Sequence, residues 1–369
     1  MSATRTRTLV SGGIAGLVGL TATTALALPA RAATPTPVGH VYEATNAVDG
    51  NAIQVFDQYA DGHLAAAGVV ASGGVGTGGS LHSQGGVVRD GSLLFAVNGG
   101  SDSVSVFAIT GAGLILRGTV PSGGLLPVSV TVHDGIGYVL NQSDDTVSGF
   151  RYTRTGLVAA MPATTRSLTP NPAGGITDAA QVSFTPDGSR LLVTEKASNA
   201  LETFAVRGSG ALGTLSTTVS AGTTPYGFAF DTHGNALVSE AGTGSVSSYR
   251  LAGKAANVIS AAVPDGQSAA CWLVVAPNGT TAWAVNTGSH SLSSYAISRT
   301  GALTLTSAVA ADTVLGGTDT TVAADGRAVY VRLAGGLLST WAIGRHGELR
   351  DLGTVQGAPT FGTSGLASS

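Results

Sequence analysis

The side chains of this sequence that could do chemistry fall at two recurring positions. The first ends an apolar run and lies nine residues before an aromatic: Asn98 before Phe107, Asn141 before Phe150, Glu195 before Phe204, Glu240 before Tyr249, Asn286 before Tyr295 and Arg332 before Trp341. Asn46 precedes Phe56 by ten. Glu195 and Glu240 fall in neighbouring copies, and two carboxyls can serve as general acid and base. Arg332 offers a cation for a developing oxyanion. The same residue types also do turn chemistry, because Asn and Glu bond the backbone of the loop that follows.

The second position precedes the next apolar run. It carries His82, Ser83 and Gln84, then Asp178 and Gln181, Tyr226, Gln267 and Asp319 in successive copies. His82 is the candidate for proton transfer, since an imidazole titrates near neutrality. The competing expectation is a polar lining filled with water. The catalytic set expected is therefore Glu195, His82, Arg332 and Glu240. Ligand contacts are expected from Asn98, Asn141, Asn286, Asp178, Gln181 and Tyr226.

These positions need elements to hold them, and the repeat supplies them. The aromatics follow one another at 51, 43, 54, 45, 46 and 46 residues, and strand-rich periods of about 40–50 residues mark propeller blades. Each copy reads as strand A, an Asp-Gly-like turn, strand B, a short loop, strand C with the aromatic, a Thr-Gly-like turn and strand D. The A–B turns are Asp90-Gly91, Asp134-Gly135, Asp187-Gly188, His233-Gly234, Asn278-Gly279 and Asp325-Gly326. Gly accepts the positive φ of a tight hairpin, and Asp or Asn bonds its own backbone there. The sequence thus predicts an all-β, seven-bladed propeller of four-stranded antiparallel blades. The first copy lacks a strand A, and residues 359–367 resemble the strand A stretches elsewhere, so the C-terminus is expected to complete blade one. That closes the ring and removes two sheet edges.

A meander of this kind puts the A–B and C–D turns on one face, and the B–C and D–A loops on the other. Both candidate positions share that second face. Residues 161–176, with Pro162, Pro170 and Pro172, read as the longest connection there. Blade two is expected over 82–120, three over 128–160, four over 178–215, five over 226–260, six over 271–309 and seven over 319–355.

Composition narrows the function classes. Charged residues are only 11%, which suits blades packed on both faces. Arg5 and Arg7 precede an apolar run over 9–28, and Ala30-Arg31-Ala32 offers a small-residue cleavage site. Residues 1–32 are therefore read as a signal peptide and 33–369 as one domain, secreted, with no stable membrane insertion after cleavage. An uncleaved anchor is the alternative. Cleavage removes three of 18 basic residues and none of 21 acidic ones. The mildly acidic remainder has no Lys/Arg cluster, which argues against nucleic acid. Cys271 is the one cysteine, so no internal disulfide can form, and its apolar strand suggests packing. The seven His are scattered and no zinc spacing exists. Asp102, Asp144 and Asp145 sit in B–C turns without calcium-ligand spacing. No metal or other cofactor is expected.

The repeat resembles the lactonase-type seven-bladed β-propellers, the family of bacterial 6-phosphogluconolactonase and fungal carboxymuconate lactonizing enzyme. The resemblance rests on Phe184-Thr185-Pro186-Asp187-Gly188-Ser189-Arg190-Leu191-Leu192-Val193-Thr194-Glu195. It rests also on Phe95-Ala96-Val97-Asn98 with Ser103–Phe107, and on Trp283-Ala284-Val285-Asn286 with Ser291–Tyr295. It implies a lactone-hydrolysing or lactone-forming site using a His, an Arg and a Glu. Leu81-His82-Ser83 is similar to the family's His-bearing segment, and Glu195 to its Glu at the end of strand B. Where the family carries Arg-His, this chain has Thr177-Asp178-Ala179-Ala180-Gln181. Two functions are thus expected: a secreted lactonase-like enzyme, or a non-catalytic propeller that binds a small molecule or an extracellular protein. A monomer is expected in either case.

Overall fold

The computed structural model describes residues 1, 8–9, 11–13, 35–253, 255–358 and 365–369. The residues behind the export reading, Arg5, Arg7 and Ala30-Arg31-Ala32, lie outside them, as do 359–364. Two units separate, Met1–Pro35 and Thr36–Ser369. The second holds every strand among the described residues, in seven four-stranded antiparallel sheets. Blades two to seven each run consecutively from inner to outer strand in chain order. Blade one takes its inner strand from Leu366–Ser368, which pairs with Gly39–Ala44 through Val41↔Ser368, Tyr42↔Ala367 and Glu43↔Leu366.

The burial pattern explains why the strands read as apolar runs. The second strand of each blade is covered on both faces: Leu93–Asn98, Ile136–Asn141, Asn235–Glu240 and Ala328–Leu333 are buried throughout. Such strands lose the alternation of a half-exposed strand. The outer strands keep it, as in Gly113–Pro121. The repeat aromatics Phe56, Phe107, Phe150, Phe204, Tyr249, Tyr295 and Trp341 are all buried. Each contributes about 1.5–3 kcal/mol by burying its ring between sheets.

Two boundaries differ from expectation. The outer strand of blade three runs Val158–Ser167, so residues 161–167 are strand and not loop. Its pairing skips between Val147↔Arg166 and Gly149↔Met161, which bulges out the stretch around Pro162. An outer strand tolerates proline because its free edge needs no ladder donor. The longest connection is instead 72–86, between Leu64–Ala71 and Val87–Asp90. Its last residues leave blade two and bond the inner strands of three other blades. Ser83 Oγ donates to Val128 O at 2.8 Å, Gln84 N to Ala180 O at 3.1 Å, and Val130 N to Gly85 O at 2.9 Å. The Gln84 amide donates to Leu273 O at 2.8 Å and accepts from Leu273 N at 3.1 Å. Trp272 Nε1 donates to Ser83 O at 2.9 Å. Contact with blades three, four and six at once requires this segment to cross the axis of the ring.

Ring closure is polar as well as paired. Arg332 of blade seven forms a buried ion pair with Glu43 of blade one. The same guanidinium donates to the carbonyls of Leu333 and Ala358, the latter at 3.1 Å, and Ala358 N donates back to Glu43 Oε2 at 3.0 Å. Asp319 accepts from the amides of Thr320, Gly365 and Leu366. Burial still pushes its carboxyl up to about 7.

Candidate functional site

The ring of residues ending strand B is buried throughout, and its first task is structural. Asn98, Asn141 and Asn286 donate to a serine seven residues on, across the B–C pairing: Ser105 at 2.8 Å, Ser148 at 3.1 Å and Ser293 at 2.8 Å. Asn46 instead binds the loop 77–79 through Thr77 N, Thr77 Oγ1 and Gly79 O. Glu240 accepts from Ser220 Oγ at 2.7 Å and Tyr249 Oη at 3.2 Å, and bonds Ser247. Burial raises its pKa against those donors. Arg332 belongs to ring closure. Asp102 and Asp145 hold neighbouring loops, through Leu126 N and through Thr177 N and Oγ1.

Blade four breaks the pattern. Seven residues after Glu195 stands Glu202, where five other blades have the serine: Ser105, Ser148, Ser247, Ser293 and Ser339. Val193 pairs with Glu202 and Glu195 with Ala200, so the two carboxyls are diagonal neighbours on one sheet face. Both are fully buried. Glu195 accepts from Ser198, and Glu202 from Thr169 N at 2.9 Å and Thr217 Oγ1 at 3.2 Å. Each keeps one oxygen that no donor reaches, and the carboxyls bond each other. One of them must carry a proton. Burial, then the Glu202 charge, pushes Glu195 up to about 8.

A cavity of about 370 Å³ lies on the face of the B–C and D–A loops, lined by Thr77, Ser80, Leu81, His82, Leu126, Gln142, Asp178, Lys196 and Tyr226. Three of the expected residues, His82, Asp178 and Tyr226, meet here. Glu195, Glu240, Arg332, Asn98, Asn141, Asn286 and Gln181 do not line it. Gln181 joins blades four and five, donating to Phe228 O at 3.0 Å and accepting from Phe228 N at 2.7 Å.

The backbone sets the cavity's walls. His82, Leu126 and Asp178 have φ of 47°, 57° and 53°, in the left-handed region where non-glycine residues are uncommon. Thr224 and Ala269 do the same before the next two inner strands. A left-handed residue where the D–A loop turns inward is therefore part of the repeat.

Lys196 is the residue sequence reasoning missed. Its side chain is only 6% exposed. Nζ donates to His82 O at 2.7 Å, lies 3.2 Å from Asp178 Oδ1, and sits 4.8 Å from the centre of the Tyr226 ring. Burial lowers its pKa and Asp178 opposes that shift. His82 is lowered too, by burial and then by the Lys196 charge, with Asp178 pulling the other way. An imidazole held below its ordinary value of about 6.5 is neutral at neutral pH. Tyr226 packs on Trp272 with centroids 5.0 Å apart. The signal was available one position beyond the strand-B ring. There four blades carry Ala47, Gly99, Ala241 and Thr287, while Gln142 and Lys196 are long and polar. Gln142 donates to Ala179 O at 2.9 Å. Among the described residues, no three His, Cys, Asp or Glu side chains gather as a metal site requires.

Residues 130–250 match the family described as Lactonase, 7-bladed beta-propeller. They span blade three to the third strand of blade five, and so carry the lactonase-type pattern expected from the sequence. No curated protein matches the chain. Among solved structures, the periplasmic gluconolactonase of Pseudomonas aeruginosa is similar, with a TM-score of 0.71 at 16% identity, over 89% of this chain and 98% of that one. A candidate 6-phosphogluconolactonase from Bacteroides fragilis superposes with a TM-score of 0.70 at 16% identity, over 90% and 98%. Its counterpart from Bacteroides uniformis gives 0.73 at 16%, over 89% and 99%. At such identity the likeness speaks for the fold.

Proposed function

We propose that the chain hydrolyses a lactone, or forms one in the reverse direction, at the mouth of its central channel. What carries the reading is that a neutral imidazole and an anchored ammonium line one cavity. In this mechanism His82 takes a proton from water as the water oxygen bonds the lactone carbonyl carbon. An N–H of Lys196 stabilises the oxyanion that forms. The ring C–O bond then breaks, and the leaving oxygen takes the proton back from the His82 imidazolium. The product is the hydroxy acid, and no other reactant is needed. The family match and the fold of the gluconolactonase neighbour support this choice among propeller functions. The N-terminal segment supports action outside the cytoplasm.

The test is acid release from a panel of γ- and δ-lactones by the wild type, His82→Asn and Lys196→Met. Asn accepts the left-handed backbone of position 82. His82→Asn is expected to lower kcat by about 10²–10⁴-fold, and Lys196→Met by about 10²–10³-fold. The acid limb of the wild-type pH–rate profile should fall below the ordinary imidazole value. No turnover by the wild type, or variants equal to it, would refute the enzyme and leave a binding propeller.

A further inference from the structure

We propose that the Asp178–Lys196 pair makes this cavity selective for uncharged lactones over phosphorylated or carboxylated ones. The inference rests on the lactone reading above and adds the substrate class.

The charges lining the cavity are few and already matched. Lys196 is the one Lys or Arg there, and Asp178 the one carboxylate. An ammonium has three N–H donors. One is taken by the His82 carbonyl at 2.7 Å and a second faces Asp178 at 3.2 Å. The third can serve a single carbonyl or oxyanion oxygen. The Asp178 side chain is 42% exposed, so an anionic ligand reaching Lys196 would bring its charge beside a carboxylate. His82 is neutral and adds no compensating charge.

Phosphate and carboxylate groups are recognised by guanidinium forks or by cations in excess. Neither is present. Arg332, the cation expected from the sequence, is held by Glu43 and by the Leu333 and Ala358 carbonyls. The rest of the wall suits a neutral ring. Leu81, Leu126 and the Tyr226 ring give apolar surface, while Thr77, Ser80 and Gln142 give uncharged hydrogen-bonding groups. Asp178 thus acts as a specificity residue: it neutralises Lys196 in the ground state and repels anions.

The experiment compares a δ-lactone with its phosphorylated counterpart. Wild-type kcat/KM should favour the uncharged substrate by about tenfold or more, the scale of one hydrogen bond to a charged group. Asp178→Asn, which keeps a side chain tolerant of the left-handed backbone, should move that ratio toward the phosphorylated substrate by about tenfold, chiefly through KM. A wild-type ratio of one or less, or an unchanged ratio in Asp178→Asn, overturns the inference. A parallel titration uses unreactive cyclic ethers with and without the phosphate, read by the fluorescence of Trp272 against Tyr226. If neither lactone is hydrolysed but the uncharged ether binds more tightly, the enzyme reading fails and the charge selectivity stands. If the phosphorylated ether binds as well or better, or neither binds, the selectivity fails.

Discussion

Arg332→Met should loosen the ring at its seam, and the size of the effect can be worked from the contacts. The Arg332 side chain is 3% exposed and that of Glu43 is 1%. Methionine keeps the stem volume but leaves Glu43 buried opposite no cation. Breaking a buried pair by removing one partner costs about 3–5 kcal/mol. For a propeller of roughly 330 residues, an unfolding entropy of about 2.1 cal/mol/K per residue turns this into about 4–7 °C of Tm. Burial already raises the Glu43 pKa even with Arg332 opposing it. In the variant the carboxyl would protonate more readily still. A raised folded-state pKa favours the fold below the unfolded value and disfavours it as pH rises. The gap between variant and wild type should therefore be largest at neutral pH and shrink toward pH 4. Calorimetric melts at several pH values measure it. The double change Glu43→Leu with Arg332→Met should recover most of the loss, because no unpaired charge remains. A single variant within about 1 °C of wild type at pH 7, or a double variant worse than the single, would refute the seam as described.

Two more outcomes follow from other buried contacts. Glu195 holds a proton in the fold up to about pH 8, while an unfolded Glu releases it near 4.5; stability from this source is present in acid and lost as pH rises through that window. Glu202→Gln should flatten the decline, each tenfold change in proton affinity being worth about 1.4 kcal/mol, and equal pH slopes for variant and wild type would refute the shared proton. A Cβ at Gly227 would lie 2.0 Å from Gln84 Oε1 and 2.9 Å from Cys271 O. Gly227→Ala should therefore dislodge the Gln84 amide from Leu273 and cost about 1–3 kcal/mol, read as a lower urea midpoint; an unchanged midpoint would show that Gln84 does not brace the axis.

The seven sheets were legible because local chemistry repeats. Glycine turns and one aromatic per copy set the register, and the missing first strand pointed to the tail, where Leu366–Ser368 does complete blade one. The site was only partly legible. His82, Asp178 and Tyr226 were found because their place before an inner strand fixes the face they share. Glu195 and Arg332 were read as reactive because charge at a repeated position looks exceptional. Their partners Glu202 and Glu43 come from a neighbouring strand and from the far end of the chain, and only pairing exposes them. Glu202 was within reach through the seven-residue Asn–Ser spacing of other blades. Lys196 was hidden by a shift of one residue, which carries it past the strand end at Glu195 into the B–C turn that faces the cavity.

The segment that binds Val128, Ala180 and Leu273 lays a strip of chain across the axis of the ring, and the residue just before it, His82, lines the loop-face cavity. The same strip that ties three blades together thus anchors the imidazole of the proposed site. On the proposed lactone reading, a hydroxy acid product would occupy the cavity that the substrate needs, so its inhibition should be competitive.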